Sequence, residues 1–489
     1  MSQQPVPEKS PLAEKRAGRI LLGWVAALAL FAIYAAFRQR AIWGADSFGY
    51  LELGKLFSEG RVHLPLAFSA AEFPAVVPPG FTPGADGLVA PGYPPGFPLL
   101  LALGHLLGAP MFVTPVLGVV SCWLLYQLLH ERIGRGAAAA FTLAWAFMPL
   151  TVMGSTMVMS DGVAATVLLG ALLAHQRGKM TATGWLLGLA IAVRPTNALF
   201  LAPFALFCRW DRAHVQLAVH LGLAGAVYAA YNTWLYGAPW RTGYGDVAGG
   251  LQPALLPSHL KFYLRESWNV LSPVVVILAG HGLAPLTRRK LGLLLWPVML
   301  ALFYACWDAG GSDRWWWTRF LMPGHPLLFL LAAEGFANVR GWWSARLGPS
   351  RAGFAGVILT AVVALLPIYY VAFGLGRRDL WQRDTGLVNH EVVARVAKLA
   401  PAGSLVGTIE HASTCLIETD LVPFSPLDAS APRLVTKALG EGRRIFVLLE
   451  PWNAENETVR LLLQRYHGRE IARYPELWNG LPLYELGAP

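Results

Sequence analysis

The chain has 489 residues, of which 55% are hydrophobic and only 14% are charged, and its formal net charge is +10. A soluble globular protein carries about 25% charged residues, so this composition excludes a water-facing surface along the whole chain. The sequence contains no basic tract or nucleic-acid-binding module, and lysine and arginine mark the cytoplasmic loops of membrane proteins, so the positive charge does not indicate a nucleic-acid partner.

Apolar segments recur up to residue 376, many of them near the roughly 17–25 residues that a helix needs to cross a bilayer. They predict a polytopic α-helical membrane protein with about eleven transmembrane helices. The predicted spans lie near residues 20–37, 110–130, 137–156, 162–175, 182–199, 200–208, 214–235, 268–286, 290–307, 319–337 and 352–376. Arg38-Gln39-Arg40 follows the first span where a signal peptide would have small residues, so we expect that span to be retained.

Basic residues concentrate in the connections at alternate ends of the predicted spans. They are Lys9, Lys15, Arg16, Arg19, Arg132, Arg135, Arg177, Lys179, Arg209, Arg212, Arg288, Arg289, Lys290, Arg340, Arg346 and Arg351. By the positive-inside rule this side is cytoplasmic, and an odd number of spans then places the C-terminus outside. The expected location is a bacterial-type inner (plasma) membrane. Other arginines fall on the outer side against this bias, namely Arg38, Arg40, Arg194, Arg241, Arg314 and Arg319.

Two regions do not have the composition of membrane spans. Residues from about 38 to 95 form a long first outer loop, in which residues 46–60 could form a short amphipathic helix along the interface. Residues 377–489 follow the transmembrane part, residues 1–376, and have the composition of a soluble domain. They combine strand-like runs at Ser404–Ile409 and Arg444–Leu449 with a helical stretch, which predicts an extracytoplasmic α/β domain.

Two carboxylates lie next to predicted spans on the outer side. Asp46 follows the first span, and Asp161 lies in the short loop before the fourth span. A carboxylate near the membrane boundary can act as a general base, and ionisable groups at membrane depth are costly and tend to be functional. Each aspartate also precedes a helix, where it could serve as the N-cap. The spacing alone leaves both interpretations open.

Outer arginines are candidates for binding a phosphate group. Arg194 precedes Pro195, which restricts it to extended geometry, so we expect the helix to end there and present the guanidinium at the outer surface. Arg314 and Arg319 flank three tryptophans in a loop that also carries Asp308 and Asp313. A permanently charged, fork-shaped guanidinium suits a lipid phosphate. The alternatives are arginines that reach ordinary headgroups and tryptophans of the interfacial aromatic belt, although the flat ring of Trp317 would also suit a sugar.

Several motifs are missing from the sequence. There is no Walker loop, no GxGxxG after a strand, no HExxH, no GxSxG and no metal–nucleotide DxD motif. The four cysteines are far apart without zinc-ligand spacing, and Cys122 and Cys208 fall in apolar segments, where small core residues are expected. No cofactor is predicted. A divalent metal stays open, because folding could bring Asp46, Asp161 and His325 together.

Several segments between residues 20 and 335, taken in their order along the chain, resemble the GT-C superfamily of membrane glycosyltransferases. The resemblance is to the branch of protein O-mannosyltransferases and lipid A aminoarabinose transferases in particular. The resembling segments are Asp46-Ser47-Phe48-Gly49-Tyr50, Tyr93-Pro94-Pro95-Gly96-Phe97-Pro98, Met159-Ser160-Asp161, Arg194-Pro195-Thr196, Asn232 with Gly237-Ala238-Pro239 and Gly243-Tyr244, and Arg319-Phe320-Leu321-Met322-Pro323. The resemblance implies a polyprenyl-phosphate sugar donor, a cavity open to the outer face and a direct displacement that inverts the anomeric centre.

The resemblance also implies roles for individual residues. Asp46 would be the catalytic base and Asp161 the second acid of the site. Arg194 and Arg319, together with Arg314, would bind the donor phosphate. The side chains expected to line the substrate cavity are Tyr50, Tyr93, Tyr244 and Trp317.

The sequence departs from the family pattern at two places. Ser47 follows Asp46 where members often carry glutamate, and Tyr93 occupies the place where some members hold phosphate with a lysine. An outer arginine is therefore the expected phosphate ligand.

The predicted function is transfer of a sugar from a polyprenyl-phosphate donor to a hydroxyl of a lipid, glycan or protein acceptor on the outer face of the membrane. The main alternative is a transporter or lipid flippase, since about eleven spans with internal charges would also suit that class. Against it, the sequence shows no internal repeat and no matching pair of broken helices. A third class, a non-catalytic assembly protein, would tolerate replacement of Asp46 and Arg319.

Overall fold

The computed structural model describes residues 11–42, 44–84, 86–208, 211–245, 249–307, 314–377, 386–451, 453–475 and 480–489. Up to residue 377, its α-helices are α1 Pro11–Ala36, α2 Ala45–Ser58, α3 Gly96–Leu106, α4 Val113–Ile133, α5 Arg135–Phe147, α6 Pro149–Thr156, α7 Ser160–Gln176, α8 Met180–Val193, α9 Leu201–Phe204, α10 Arg212–Tyr236, α11 Leu256–Leu271, α12 Pro273–Gly282, α13 Arg288–Ala305, α14 His325–Leu347, α15 Pro349–Ala364 and α16 Leu366–Arg377. The 3₁₀ segments are Pro74–Val76, Pro110–Phe112, Pro195–Phe200, Ala205–Phe207, Pro253–Leu255 and Trp315–Gly324.

Among the described residues, four helices are long and apolar enough to cross a membrane: Pro110–Ile133, Arg212–Tyr236, Trp315–Leu347 and Ser350–Gly376. The pair α5 and α6 could form a fifth span, bent by 62° where Pro149 interrupts the hydrogen-bond ladder. Shorter apolar helices are Leu21–Ala36, Gly96–Leu106, Met180–Val193, Pro195–Phe207 and Pro273–Gly282. The chain is thus a helical integral membrane protein, and the count of about eleven spans stays a prediction.

The apolar helices share a large core whose biggest fully buried side chains include Trp145 and Trp296. Glycines allow two of these helices, α12 and α14, to approach closely. A Cβ at Gly282 would lie 1.9 Å from the carbonyl oxygen of Leu331, and one at Gly335 would lie 1.8 Å from that of Leu278. This contact therefore requires glycine at both positions, because any side chain would push the two helices apart.

The helix predicted over residues 46–60 is confirmed as α2, but it does not lie along a lipid surface. Its buried residues include Leu51 and even Glu52, so most of its circumference is covered. Helix α3 packs so tightly against it that a Cβ at Gly54 would lie 2.7 Å from the Cβ of Leu101. The sequence pattern predicted α2 at the membrane interface because a pattern within one segment does not reveal that α3 packs against it.

The C-terminal part of the chain contains a mixed five-stranded sheet. Its elements are α17 Leu387–Leu399, β3 Leu405–Gly407, α18 Ala412–Glu418, β4 Val422–Phe424, α19 Ala431–Gly440, β5 Ile445–Leu448, α20 Glu457–Arg465, β6 Arg469–Tyr474 and β7 Leu481–Leu486, after the hairpin of β1 Phe81–Pro83 and β2 Val89–Pro91 in the first loop. The strand order is β4-β3-β5-β7-β6, with β4, β3 and β5 parallel and the β5–β7 and β7–β6 pairs antiparallel.

The first loop packs directly on this sheet. Phe68 and Phe73 belong to the same apolar cluster as strand residues such as Leu405 and Val447. The backbone of Ala75 is hydrogen-bonded on both sides, to the amide of Ser425 at 2.7 Å and to the Ser430 hydroxyl at 3.1 Å. The loop that precedes Tyr93 is therefore held by the C-terminal part of the chain.

Candidate active site

A cavity of about 1310 Å³ lies among α2, α7, α13, the 3₁₀ segment Trp315–Gly324 and the loops around residues 82–93 and 237–245. It brings together eight of the predicted site residues: Asp46, Tyr50, Tyr93, Asp161, Arg194, Tyr244, Trp317 and Arg319. Arg314 is exposed and is not among the residues that line the cavity. Asp308 and Asp313 lie outside the described residues.

Asp46 lies in the first turn of α2, where it contacts residues far away in the sequence. Its Oδ1 accepts a hydrogen bond of 2.8 Å from the Tyr93 hydroxyl, and its Oδ2 accepts one of 2.8 Å from Nη2 of Arg319. The N-cap of α2 is Gly44, whose φ of 81° suits glycine, and no side chain caps the helix. The N-cap interpretation of Asp46 is therefore wrong. The side chain remains 37% exposed, so it is accessible from the cavity.

The surroundings of Asp46 favour its charged form. Burial raises the pKa of this carboxyl, but the Arg319 guanidinium and the hydrogen bond from Tyr93 oppose burial and leave the pKa below its ordinary value. Asp46 is thus a carboxylate at neutral pH, as a general base must be before it accepts a proton.

A second acid–arginine pair lies deeper in the wall. Asp161 lies in the first turn of α7, whose N-cap is Met159 without a side-chain cap, so the N-cap interpretation is wrong here as well. Nη1 of Arg194 is paired with Oδ1 of Asp161, and Nη2 of Arg194 donates a hydrogen bond of 2.7 Å to the Tyr304 hydroxyl. Both charged side chains are almost fully buried.

The chain geometry at Arg194 is as predicted, but its environment is not. Helix α8 ends at Val193, and Arg194 has extended geometry, with φ −146° and ψ 113°, ahead of Pro195. The guanidinium is buried against Asp161 and does not stand at an outer surface among headgroups. The sequence could not show that the partner of Arg194 comes from the start of a different helix.

Arg319 is held by aromatic rings and by Asp46. Its guanidinium carbon lies 5.6, 5.5 and 5.1 Å from the ring centres of Trp316, Trp317 and Phe320, and its Nη1 contacts the sulfur of Met159. Its buried Nε has no hydrogen-bond partner among the described residues, so one donor of the fork remains unused.

The tryptophans beside Arg319 do not form a lipid-facing belt. Trp315 is buried, with only 3% of its surface exposed. Trp316 and Trp317 stack on each other with ring centres 4.6 Å apart, and Trp317 lines the cavity. The aromatic-belt interpretation is therefore wrong for Trp315, and Trp317 presents a ring where a ligand can contact it.

Tyrosines connect the two acid–arginine pairs. The Tyr50 hydroxyl donates a hydrogen bond of 2.9 Å to Ser160, the neighbour of Asp161. The Tyr50 and Tyr93 ring centres lie 4.6 Å apart, and Tyr244 meets Tyr93 edge-on at 6.1 Å. These contacts fix the Tyr93 hydroxyl that donates to Asp46.

Ser160 and Tyr304 line the cavity and bond to predicted site residues, but no role was assigned to them from the sequence. Ser160 stands next to Asp161 in a segment that carried the resemblance, so its position was available as a signal. Tyr304 binds Arg194 from within the apolar helix α13. Nothing in that apolar run distinguishes Tyr304 from an ordinary core residue, so no local signal could have found it.

His325 does not join the two acids. It is buried, its Nδ1 has no partner among the described residues, and it does not line the cavity. Among the described residues, the three-residue group whose atoms lie close enough to hold a metal ion is His175, Cys208 and His214, outside the cavity. The cavity itself offers a carboxylate that can accept a proton, three guanidinium groups, and aromatic faces that can pack against a sugar.

No family model and no curated protein matches the sequence. Solved structures do match. ArnT from Cupriavidus metallidurans bound to undecaprenyl phosphate has a TM-score of 0.62 and 14% identity, over 96% of this chain and 99% of ArnT. The archaeal oligosaccharyltransferase AglB from Archaeoglobus fulgidus, in complex with an inhibitory peptide and a dolichol-phosphate, has a TM-score of 0.53 and 11% identity, over 92% of this chain and 73% of AglB.

The arabinofuranosyltransferase AftD from mycobacteria has a TM-score of 0.52 and 14% identity, over 96% of this chain and 41% of AftD. ArnT, AglB and AftD are GT-C glycosyltransferases. The chain therefore has the GT-C fold, and the predicted fold resemblance is confirmed at this level.

Proposed function

We propose that the protein is a membrane glycosyltransferase that moves a sugar from a polyprenyl-phosphate donor to an acceptor hydroxyl by inverting displacement. The observation that carries this proposal is the contact between Asp46 and Arg319 in the wall of the cavity. It puts a group that can accept a proton next to a group that can bind a phosphate, as a displacement at a sugar phosphate requires.

The donor phosphate binds at Arg319 in this proposal, with Arg194 behind it. The fork geometry of the Arg319 guanidinium suits a phosphate oxygen, and the aromatic rings around it leave little water to compete. Arg314 is a weaker candidate, since it does not line the cavity. Support for a lipid-linked phosphate comes from two proteins of the same fold, ArnT bound to undecaprenyl phosphate and AglB in complex with a dolichol-phosphate.

The reaction is a single displacement. Asp46 accepts the proton of the acceptor hydroxyl while that oxygen forms a bond to the anomeric carbon. The bond between this carbon and the phosphate oxygen breaks with its electron pair, and the polyprenyl phosphate leaves. The phosphodiester has one negative charge and the departing monoester develops a second, so fixed guanidinium groups stabilise the transition state more than the ground state.

Donor binding and activation of the base are linked through Arg319. Without donor, Arg319 lowers the pKa of Asp46 and keeps this carboxylate a weak base. A bound phosphate shares Arg319 and adds a negative charge nearby, and both effects raise the pKa of Asp46. The carboxylate thus becomes a stronger base only when a donor is present, which limits proton uptake at an empty site.

The same proposal includes the arrangement in the membrane. Residues 1–376 form the catalytic module, and residues 377–489 form an extracytoplasmic domain that takes part in acceptor recognition. The clustering of basic residues in alternate connections supports a site on the outer face of a bacterial-type inner membrane. A nucleotide sugar would not reach that face, so the donor has to arrive on a lipid.

The test is to incubate the purified protein with a panel of polyprenyl-phosphate sugars and acceptors and to measure release of polyprenyl phosphate. We expect release with one donor class, and loss of at least a hundredfold in rate in Asp46→Asn. Asp420→Asn is the matched control, because Asp420 is an exposed aspartate of the C-terminal part. A transporter would leave the sugar–phosphate bond of every donor intact. Unchanged turnover in Asp46→Asn would remove Asp46 as the base.

A further inference from the structure

Three side chains that commonly bind metals meet at the end of α7 that is remote from the cavity. His175 lies in the last turn of α7, Cys208 follows the 3₁₀ segment Ala205–Phe207, and His214 lies in the first turn of α10. One ligand atom from each lies within 4.8 Å of the others. The two Nε2 atoms of His175 and His214 are 3.4 Å apart.

We propose that His175, Cys208 and His214 form a binding site for a divalent transition metal, with zinc as the preferred ion. Two imidazole nitrogens and one thiolate are the borderline-soft donors that zinc prefers, whereas calcium and magnesium require oxygen ligands. Zinc bonds of about 2.0 Å to nitrogen and 2.3 Å to sulfur in a tetrahedron put neighbouring ligand atoms roughly 3.3–3.7 Å apart. The separation of 3.4 Å between the histidine nitrogens fits this geometry.

A carboxylate orients one of these ligands in the way that metal sites require. Oδ1 of Asp211 lies 2.7 Å from Nδ1 of His214 and also accepts the backbone N–H of that residue at 3.0 Å. Asp211 therefore selects the tautomer of His214 with hydrogen on Nδ1, which makes Nε2, the atom 3.4 Å from Nε2 of His175, the metal-binding nitrogen. In zinc sites, a histidine ligand commonly donates its other ring N–H to a carboxylate in this way, which fixes the orientation of the ring.

Metal binding would replace weak contacts. The Cys208 thiol has a long contact of 3.7 Å to the Phe204 carbonyl oxygen, and the Nε2 atoms of His175 and His214 lie 3.4 Å apart. On binding, the thiol loses its proton to solvent and the sulfur binds as thiolate, while both imidazoles bind in the neutral form through Nε2. The described residues supply three ligands, so a water molecule would take the fourth position of a tetrahedral ion.

The site connects three parts of the fold. It would fix the end of α7 to the start of α10 and to the segment between Pro195 and Cys208. The other end of α7 carries Asp161, about 21 Å away at 1.5 Å of rise per residue. The metal would hold these three segments together, and it does not touch the reacting groups of the cavity.

The test uses the full-length protein with an affinity tag that lacks histidine, purified in detergent and loaded with zinc and, separately, with Co²⁺. We expect about one retained ion per chain and the visible absorption of tetrahedral, thiolate-bound cobalt. Cys208→Ser and His214→Ala should each weaken binding at least tenfold and abolish the thiolate–cobalt band or the tetrahedral spectrum.

Matched controls are available on the same chain. Cys306→Ser removes a cysteine outside the cluster, and His220→Ala removes a half-buried histidine of α10 whose Nδ1 contacts the Gln216 carbonyl oxygen. Both controls should bind metal like the unmodified chain. Equal metal content in all five proteins, or no tetrahedral cobalt spectrum in a wild-type sample that elutes as a single folded species, would overturn the proposal.

Discussion

Four charged residues of the cavity form two acid–arginine pairs that differ in accessibility, and this difference indicates different roles for the two acids. The side chain of Asp46 is 37% exposed, whereas those of Asp161 and Arg194 are 5% and 10% exposed. A proton acceptor has to reach substrate, so Asp46 is the better base. The buried pair instead holds the walls of the cavity, where α7 meets the end of α8.

The buried pair leads to a prediction about stability. Arg194→Met leaves the Asp161 carboxylate buried without a cation, which should destabilise the protein by about 3–5 kcal/mol and lower its thermal midpoint in detergent. Adding Asp161→Asn to this variant should recover part of the loss, because no unpaired charge remains. Arg351→Met, at an exposed arginine, is the control and should leave the midpoint unchanged. A single variant as stable as this control would show that the pair is not needed.

The pKa of Asp46 leads to a prediction about pH dependence. In the free protein this pKa lies below its ordinary value of 3.8, so Asp46 stays charged and kcat/KM should be flat down to about pH 5. A bound phosphate raises the pKa, so the acid limb of kcat should lie at a higher pH than that of kcat/KM. The measurement is a pair of pH–rate profiles, and limbs in the reverse order would contradict the linkage.

The same shift acts on stability with a definite sign. Because the folded-state pKa is lowered, the contact with Arg319 stabilises the fold above the unfolded-state pKa, and this stabilisation is lost as the pH falls through the folded-state value. The thermal midpoint of Asp46→Asn should therefore change less than that of the wild type on going from about pH 5 to pH 3.

At the scale of elements, the sequence predicted what depends on neighbours in the chain. The end of α8 before Pro195 and the existence of α2 both follow from local residues, and the structure confirms them. The partners of these elements depend on contacts between distant residues. Asp46 and Arg319 are 273 positions apart, and Tyr304 reaches Arg194 from an apolar helix. Only the order of motifs along the chain connected these segments. That order predicted eight of the residues that line the cavity, but it predicted neither the acid–arginine pairs nor the burial of α2.

The contact between α12 and α14 leads to a prediction at this scale. Gly335→Ala would put a Cβ 1.8 Å from the carbonyl oxygen of Leu278, so the helices must separate, and we expect a loss of about 1–3 kcal/mol or more. Gly341→Ala, in the same helix, meets nothing within 4 Å and should be neutral or slightly stabilising, since alanine favours helix. The check is the thermal midpoint of each variant, and equal midpoints would mean that the helices can move apart without cost.

At the scale of the whole molecule, the cavity is held from two directions. The 3₁₀ segment with Arg319 and the side chain of Tyr93 belong to the helical core, while Phe68 and Phe73 of the first loop, which precedes Tyr93, pack on the C-terminal sheet. The loop segment that leads to Tyr93, whose hydroxyl bonds Asp46, is therefore tied to residues more than 300 positions later in the chain, such as Ser430, which is bonded to Ala75. The C-terminal part thus contributes to the site without lining the cavity.

This arrangement predicts that loosening the loop from the sheet lowers activity at a distance. Phe73 is buried in the shared cluster, so Phe73→Ala should cost about 3–5 kcal/mol of local packing and free the loop. We expect faster hydrogen exchange of the amides of residues 66–77 and a lower kcat, because Tyr93 no longer fixes Asp46.

Lys437→Ala provides the control, because it removes an exposed cation next to the same ring and to Glu72, and such surface pairs contribute at most about 1 kcal/mol. Its exchange and kcat should match the wild type. If Phe73→Ala shows fast exchange but an unchanged kcat, the order of the loop does not affect the active site. If exchange stayed slow, the sheet would not be what holds the loop, and the fixing contacts would have to come from the β1–β2 hairpin and α2 instead.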